Sequence, residues 1–310
     1  VPFLFSSVFL ERMKKVFLLL SILLPIGVFA QEKTILFVVE QHSDGSGWHV
    51  EPLAEYRFGR FSEAVTHPSD MDEGGSGGNG EYKAFSLDYF PSGKTYPLFH
   101  HNEQLGLISI KEADTNYACL QLTATCETRY SGTRTIEPDT RGLATNDSVR
   151  REHKPKIRPT TASDTAEVQK YAKFYYSSQR VSGTLQKNIH VSRIRAIDIN
   201  GDGTIELIAD CEATQTVKEK EYSWEKVAIL TVILTQSDDG KWKEVYSMFY
   251  VSKDESDARR IETLDVIDMD NDGSLEIVMK NYFYEAWNYT IVAKVGGKWK
   301  EVFNGAGGGC

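Results

Sequence analysis

The last two-fifths of this 310-residue chain are written twice. The stretch IRAIDINGDGTIELIAD (194–210) is matched by LDVIDMDNDGSLEIVMK (264–280), and GKWKEV at 240–245 recurs letter for letter at 297–302. The acidic segments begin 70 residues apart, at Asp198 and Asp268, whereas the GKWKEV copies lie 57 apart. The parts therefore come in the same order, and the first copy is longer by 13 residues, most of them assigned to the charged stretch ATQTVKEKEYSWEK (213–226), which suits a longer hairpin. One supersecondary unit used twice buries an apolar face against its own copy. A duplicated β unit is expected, over about 191–250 and 261–310.

The acidic loops have the donor pattern of a hard cation site. Counting from the first aspartate, the first loop offers Asp198, Asn200 and Asp202 at positions 1, 3 and 5, the Thr204 carbonyl at 7 and Glu206 at 9. The second offers Asp268, Asp270, Asp272, the Ser274 carbonyl and Glu276. Calcium takes six to eight oxygens, and a short loop supplies them by turning alternate side chains inward. Gly203 and Gly273 stand at position 6, where a tight wrap favours a residue without Cβ. Asn-Gly-Asp-Gly is also ordinary turn chemistry, but turn preference does not require the glutamate at position 9 in both copies. An EF-hand is excluded because position 12 is Ala209 or Met279 and because the flanks are β-branched and strand-like. The expectation is two calcium sites, each within a β-hairpin, with the second the tighter because it has four carboxylates against three.

On these residues the region 190–310 resembles the FG-GAP or VCBS-type repeat, whose calcium hairpins occur in integrin α-subunit propellers and many exported bacterial proteins. The resemblance implies the ten ligands just named. It also implies an adhesion, carbohydrate-associated or scaffold role, sometimes fused to an enzyme. A propeller typically closes with four to eight blades, and only two repeats are visible: either degenerate blades lie elsewhere or the two units pack as a compact β domain without a ring, the second being preferred.

Upstream, MKKVFLLLSILLPIGVFAQ from Met13 has the charged start, short apolar core and small residues of a secretory signal, with cleavage expected after Ala30. The residues before Met13 read as an over-extended frame. Pro25 and Gly27 interrupt the apolar run short of the roughly 20 residues a membrane span needs, so no transmembrane segment is expected after cleavage. A secreted, periplasmic or cell-surface location follows. Residues 31–146 carry short β-rich runs (TILFVV, YKAFSLDYF, LGLISI, CLQLTA) between turn clusters and predict an antiparallel β domain. Residues 147–162, polar and basic with Pro155 and Pro159, read as a linker. A helix follows, capped at Ser163 or Asp164 with Glu167 completing a capping box, and with Val168, Tyr171, Ala172 and Tyr175 on one face. The fold class is mainly β, with one helix ahead of the two repeats.

Removing residues 1–30, which carry a net +2, takes the formal charge from −9 to −11. That balance disfavours nucleic acid and anionic membranes as partners and suits divalent cations. Cys119, Cys126, Cys211 and Cys310 allow three disulfide connectivities. Cys119 and Cys126 flank LQLTAT, and a seven-residue strand of about 23 Å holds its ends too far apart for a bridge, so these two pair with each other only if the chain turns between them; Cys211–Cys310 is the preferred pair.

Catalytic signals are thin. GGSGG (74–78) fits G-x-S-x-G in letters but lacks the strand and helix of a nucleophile elbow. His100, His101 and Glu103 in HHNEQ do not make H-E-x-x-H and read as a loop or strand end. Tyr282, Tyr284, Trp287 and Tyr289 suit either a stacking surface for sugars or ordinary β-core packing, the second being preferred. Trp242 and Trp299 recur with the repeat and read as structural. The function expected is a binding, adhesion or scaffold module for an extracellular protein or glycan, with calcium in a structural role and no catalytic residue assigned. The alternative is a secreted hydrolase, for example carbohydrate-active, with its site in the N-terminal domain or between domains.

Overall fold

A computed structural model describes residues 33–41, 47–65, 79–114, 121–136, 141–147, 154–219, 222–257 and 259–309. The signal segment, Cys119, Cys310 and the GGSGG loop lie outside them. From Thr34 onward the chain forms one compact unit, and it is mainly β, as its short apolar runs between turn clusters predict.

The first seven strands are β1 (Thr34–Gln41), β2 (Trp48–Arg57), β3 (Arg60–Ser62), β4 (Thr95–His100), β5 (Glu103–Ala113), β6 (Ala124–Tyr130) and β7 (Arg141–Thr145). They lie in the order β1-β7-β4-β5-β6-β2-β3, and β1 also pairs with β2, so six strands close on themselves with β3 outside the ring. Closure removes the open edges that a small sheet would otherwise expose. Helix α1 (Asn79–Tyr89) sends Tyr82 and Phe85 into the same core as Phe37, Tyr96 and Ile108. This corrects the strand expected for YKAFSLDYF: its apolar residues Tyr82, Phe85 and Tyr89 follow the helical three-to-four spacing.

Helix α2 (Ala162–Ser178) and the short α3 (Gly183–Lys187) lead into β9 (Ile189–Ile197), β10 (Glu206–Lys218), β11 (Ser223–Gln236) and β12 (Trp242–Val251). The second copy is β13 (Arg260–Ile267), β14 (Glu276–Tyr282), β15 (Ala286–Val295) and β16 (Lys298–Gly309). Each copy is a four-stranded antiparallel meander, and the first gains a fifth strand, β8 (Ile157–Arg158), paired to β9. The end of the expected linker is thus part of a sheet. The surplus length of the first copy lies in the β10–β11 hairpin, as its charged sequence suggested. The helix cap differs from expectation. Thr161 is the N-cap and Asp164 completes the capping box, because Asp164 both bonds the Thr161 backbone and is held by Arg158.

The elements stack in layers. Val168, Ala172 and Tyr176 of α2 pack on Leu207, Leu230 and Val232 of the first meander. The opposite face of that meander (Ile208, Ile229, Ile233) meets Val266, Ile277 and Val292 of the second. The far side of the second meander (Leu264, Val278, Ile291) covers Leu36, Val38 and Leu143 on the outside of the barrel. Three layers are therefore apolar on both faces, and this is why β1 and β11 read as unbroken apolar runs. Trp242 and Trp299 pack at the margins of these cores, in keeping with the structural role expected of them.

Charges also cross the seam between barrel and second meander. Arg141 of β7 reaches Glu40 at 2.6 Å and Glu262 of β13 at 2.9 Å, while Lys280 of β14 lies 3.4 Å from Glu40. Cys211 is a buried free thiol under α2, which overturns the preferred Cys211–Cys310 pair; Cys126 is likewise buried and free in the barrel core. Burial pushes both thiols up to about 12.

Candidate metal centre

The two acidic loops join β9 to β10 and β13 to β14 and are folded by the same hydrogen bonds. In the first, the Ile199 N–H donates to Glu206 Oε2 (3.0 Å), Asp202 N–H to Asn200 Oδ1 (3.0 Å), Gly203 N–H to Asp198 Oδ2 (2.9 Å) and Thr204 N–H to Asp202 Oδ1 (2.7 Å). In the second, Met269 donates to Glu276 (2.7 Å), Asp272 to Asp270 (3.1 Å), Gly273 to Asp268 (3.2 Å) and Ser274 to Asp272 (2.7 Å). Carboxylates at positions 1, 5 and 9 thus organise their own loop before any ion enters. Gly203 and Gly273 both sit at φ +88°, a region that strains any residue with a Cβ.

The outer positions of each loop are exposed and the anchoring acids are buried. Asp198, Glu206, Asp268 and Glu276 are all at most 4 % exposed. Asp198 Oδ1 is buried without a hydrogen-bond partner, a costly state for a carboxylate oxygen. In the second loop, oxygens of Asp268, Asp270 and Glu276 lie within 4.8 Å of one another. In the first, Asn200 instead turns its amide nitrogen to Glu206 at 3.3 Å. Burial, reinforced by Asp202 and Asp198, pushes Glu206 up to about 7. Burial and neighbouring aspartates raise Asp268 and Asp270, and lift Glu276 well above its ordinary value. A divalent cation would relieve this crowding of negative charge. All the side-chain donors are oxygens, as calcium requires, and the carbonyls expected at Thr204 and Ser274 belong to residues already tied to the position-5 aspartate. Among the described residues the second loop gathers three carboxylates and fits such an ion, whereas the acids of the first loop form no such group.

Tertiary structure adds what spacing could not. The Leu275 N–H of the second loop donates to the Ile199 carbonyl of the first at 2.7 Å, so the loops are joined by backbone. Ile199 and Leu275 are both wholly buried in the core between the meanders. The second loop also touches the barrel: Asn102 Oδ1 accepts from the Asp268 N–H at 2.9 Å, and Tyr56 Oη reaches Asp270 at 3.5 Å.

His100, which ends β4, and His101, in the turn to β5, occupy the strand end expected of them. Both turn Nδ1 to one carboxylate, Asp265 of β13, at 3.0 and 2.8 Å. Burial pushes Asp265 up, but the two imidazoles reverse this and hold it well below the usual carboxylate range. Glu103 turns away to Arg134. Sequence reasoning missed Asp265, although one signal was present: the repeat places Arg195 at the matching position of the first copy.

The aromatic run does not form a platform. Tyr289 is wholly buried, Tyr282 is half-buried with its hydroxyl donated to Glu262 at 3.1 Å, and Tyr284 is exposed in the β14–β15 turn. No helix among the described residues is long and apolar enough to cross a membrane. No protein-family model, curated protein or solved structure matches the chain.

Proposed function

We propose that this chain is an exported calcium-binding β-repeat protein of the FG-GAP or VCBS type, acting as a binding, adhesion or scaffold module for an extracellular protein or glycan. Calcium serves a structural purpose in this reading. The observation that carries it is the second loop, where Asp268, Asp270 and Glu276 converge on one point with Asp268 and Glu276 buried. The loops lie against the seams between layers, so an ion there stiffens the stack rather than facing a substrate.

Thermal melting with calcium and with chelator, joined to calorimetric titration of Asp198→Ala and Asp268→Ala, tests the proposal. Two sites are expected, with Asp268→Ala removing the tighter. Calcium at about one hundred times its Kd would add about 2.7 kcal/mol of stability. An unchanged melting curve, or equal heats from the parent and both variants, sinks the calcium reading. A glycan array on the calcium form then addresses the partner.

A further inference from the structure

We propose that His100, His101 and Asp265 form a separate site for a divalent transition ion of the zinc class, at the seam between the barrel and the second meander. Adjacent residues of a strand point to opposite faces, yet these two rings lie together with centroids 3.9 Å apart. The cause is His101, whose backbone is left-handed at φ 52° and is followed by Asn102 at φ 60°. A two-residue turn with both φ positive is usually built from Asn and Gly. Here its first position holds a histidine, and the unusual backbone swings the imidazole onto the carboxylate that His100 already meets.

The donor set selects the ion. Two imidazole nitrogens and a carboxylate suit zinc, cobalt, nickel or iron, whereas calcium and magnesium take oxygen. Zinc holds nitrogen and oxygen at roughly 2.0–2.2 Å, so the ligands of a tetrahedral ion stand about 3.3 Å apart. The observed contacts are 3.0 and 2.8 Å, and one atom from each residue lies within 4.8 Å of the others. Asp265 is wholly buried, while the histidine side chains are 17 % and 19 % exposed, which leaves a solvent side for entry and for further ligands. On binding, each neutral imidazole holds its proton on Nε2 and offers Nδ1 to the metal.

A plain hydrogen-bonded clamp is the competing account, and it needs less than is present. The His101 N–H already donates to both Asp265 oxygens at 3.0 and 3.1 Å, and the Asn102 N–H donates to the Val266 carbonyl at 3.1 Å. These bonds dock the turn without either imidazole. Asp265 is also no framework residue of the repeat, since the first copy folds with Arg195 in its place.

The test is a cobalt titration of the full chain in saturating calcium, followed by visible absorption, with zinc as competitor and 15N spectra of the histidine side chains. The proposal expects one equivalent of cobalt with the bands of a four- or five-coordinate site, displacement by zinc, and Nδ1 shifts confined to two histidines. His100→Gln and His101→Gln should each weaken binding more than roughly tenfold, the low end of what even an outer-shell change costs a metal site. Absence of cobalt and zinc binding to the parent overturns it. So does binding that survives in the double variant, or shifts at other histidines. Because the parent spectra decide the matter alone, a variant that fails to fold does not protect the idea.

Discussion

The Asn102 side-chain oxygen accepts a hydrogen bond from the Asp268 backbone at 2.9 Å, so a turn of the barrel holds the first residue of the second acidic loop. The same turn receives support from β13 through its own Asn102 N–H. On the proposed calcium reading this bond would link ion binding to docking of the barrel, and such linkage is reciprocal. Asn102→Gly keeps the positive φ but deletes this acceptor. We expect calcium affinity at the second site to fall by about 0.5–1.5 kcal/mol, the usual net worth of one hydrogen bond, with the first site unchanged. Calorimetry resolves the two, and an equal loss at both sites would argue against the linkage.

Gly273 sits at φ +88° with nothing near the position a Cβ would take. An alanine there meets backbone strain and no clash. Gly273→Ala should destabilise the protein by roughly 1–2 kcal/mol, the left-handed penalty for an L-residue. Urea unfolding measures it, and a shift within error would show that the loop relaxes to another conformation.

Asp164 couples the α2 cap to Arg158 on β8, at 2.6 and 2.8 Å. The Arg158 hydrogen bond holds its carboxyl well below the ordinary value of 3.8. A depressed folded-state value means stability that is present above pH 3.8 and lost as pH falls through the folded value. Asp164→Asn should therefore be less stable than the parent at neutral pH, by about 0.5–2 kcal/mol for the damaged cap. The gap should narrow in acid, as denaturant curves at neutral pH and near pH 3 would reveal. A gap that widens in acid would refute this assignment.

Cys126 and Cys211 are buried free thiols whose pKa values are pushed up to about 12. Neither should react with a thiol reagent in the native protein, and both should react once it is unfolded without reductant. Alkylation and peptide mass analysis check this. A Cys211–Cys310 bridge in the oxidised protein would overturn the assignment of Cys211 as a free thiol.

Much of the fold is legible in the sequence because it rests on local rules. The β-hairpin flanks of the loops, the repeated order of parts in each meander and the longer first hairpin all follow from β-branched apolar runs and the duplication. Helix α1 was not legible: three aromatics at 82, 85 and 89 serve a strand-rich reading nearly as well as a helix until the barrel core is there to receive them. The cap of α2 was misplaced by residues because Arg158, six positions upstream, decides which partner Asp164 takes.

The amino-acid order by itself determined the mainly β class, the two repeats and the ten candidate donor positions of the two loops, since spacing within a loop is set by neighbours in the chain. Only the tertiary structure decided that six N-terminal strands close into a ring and that the meanders stack on its outer face. It alone set Asp265 against His100 and His101 across 164 residues or more. Contacts of that kind depend on which apolar faces find each other, and a face that is apolar on both sides of a strand gives no local sign of its partner.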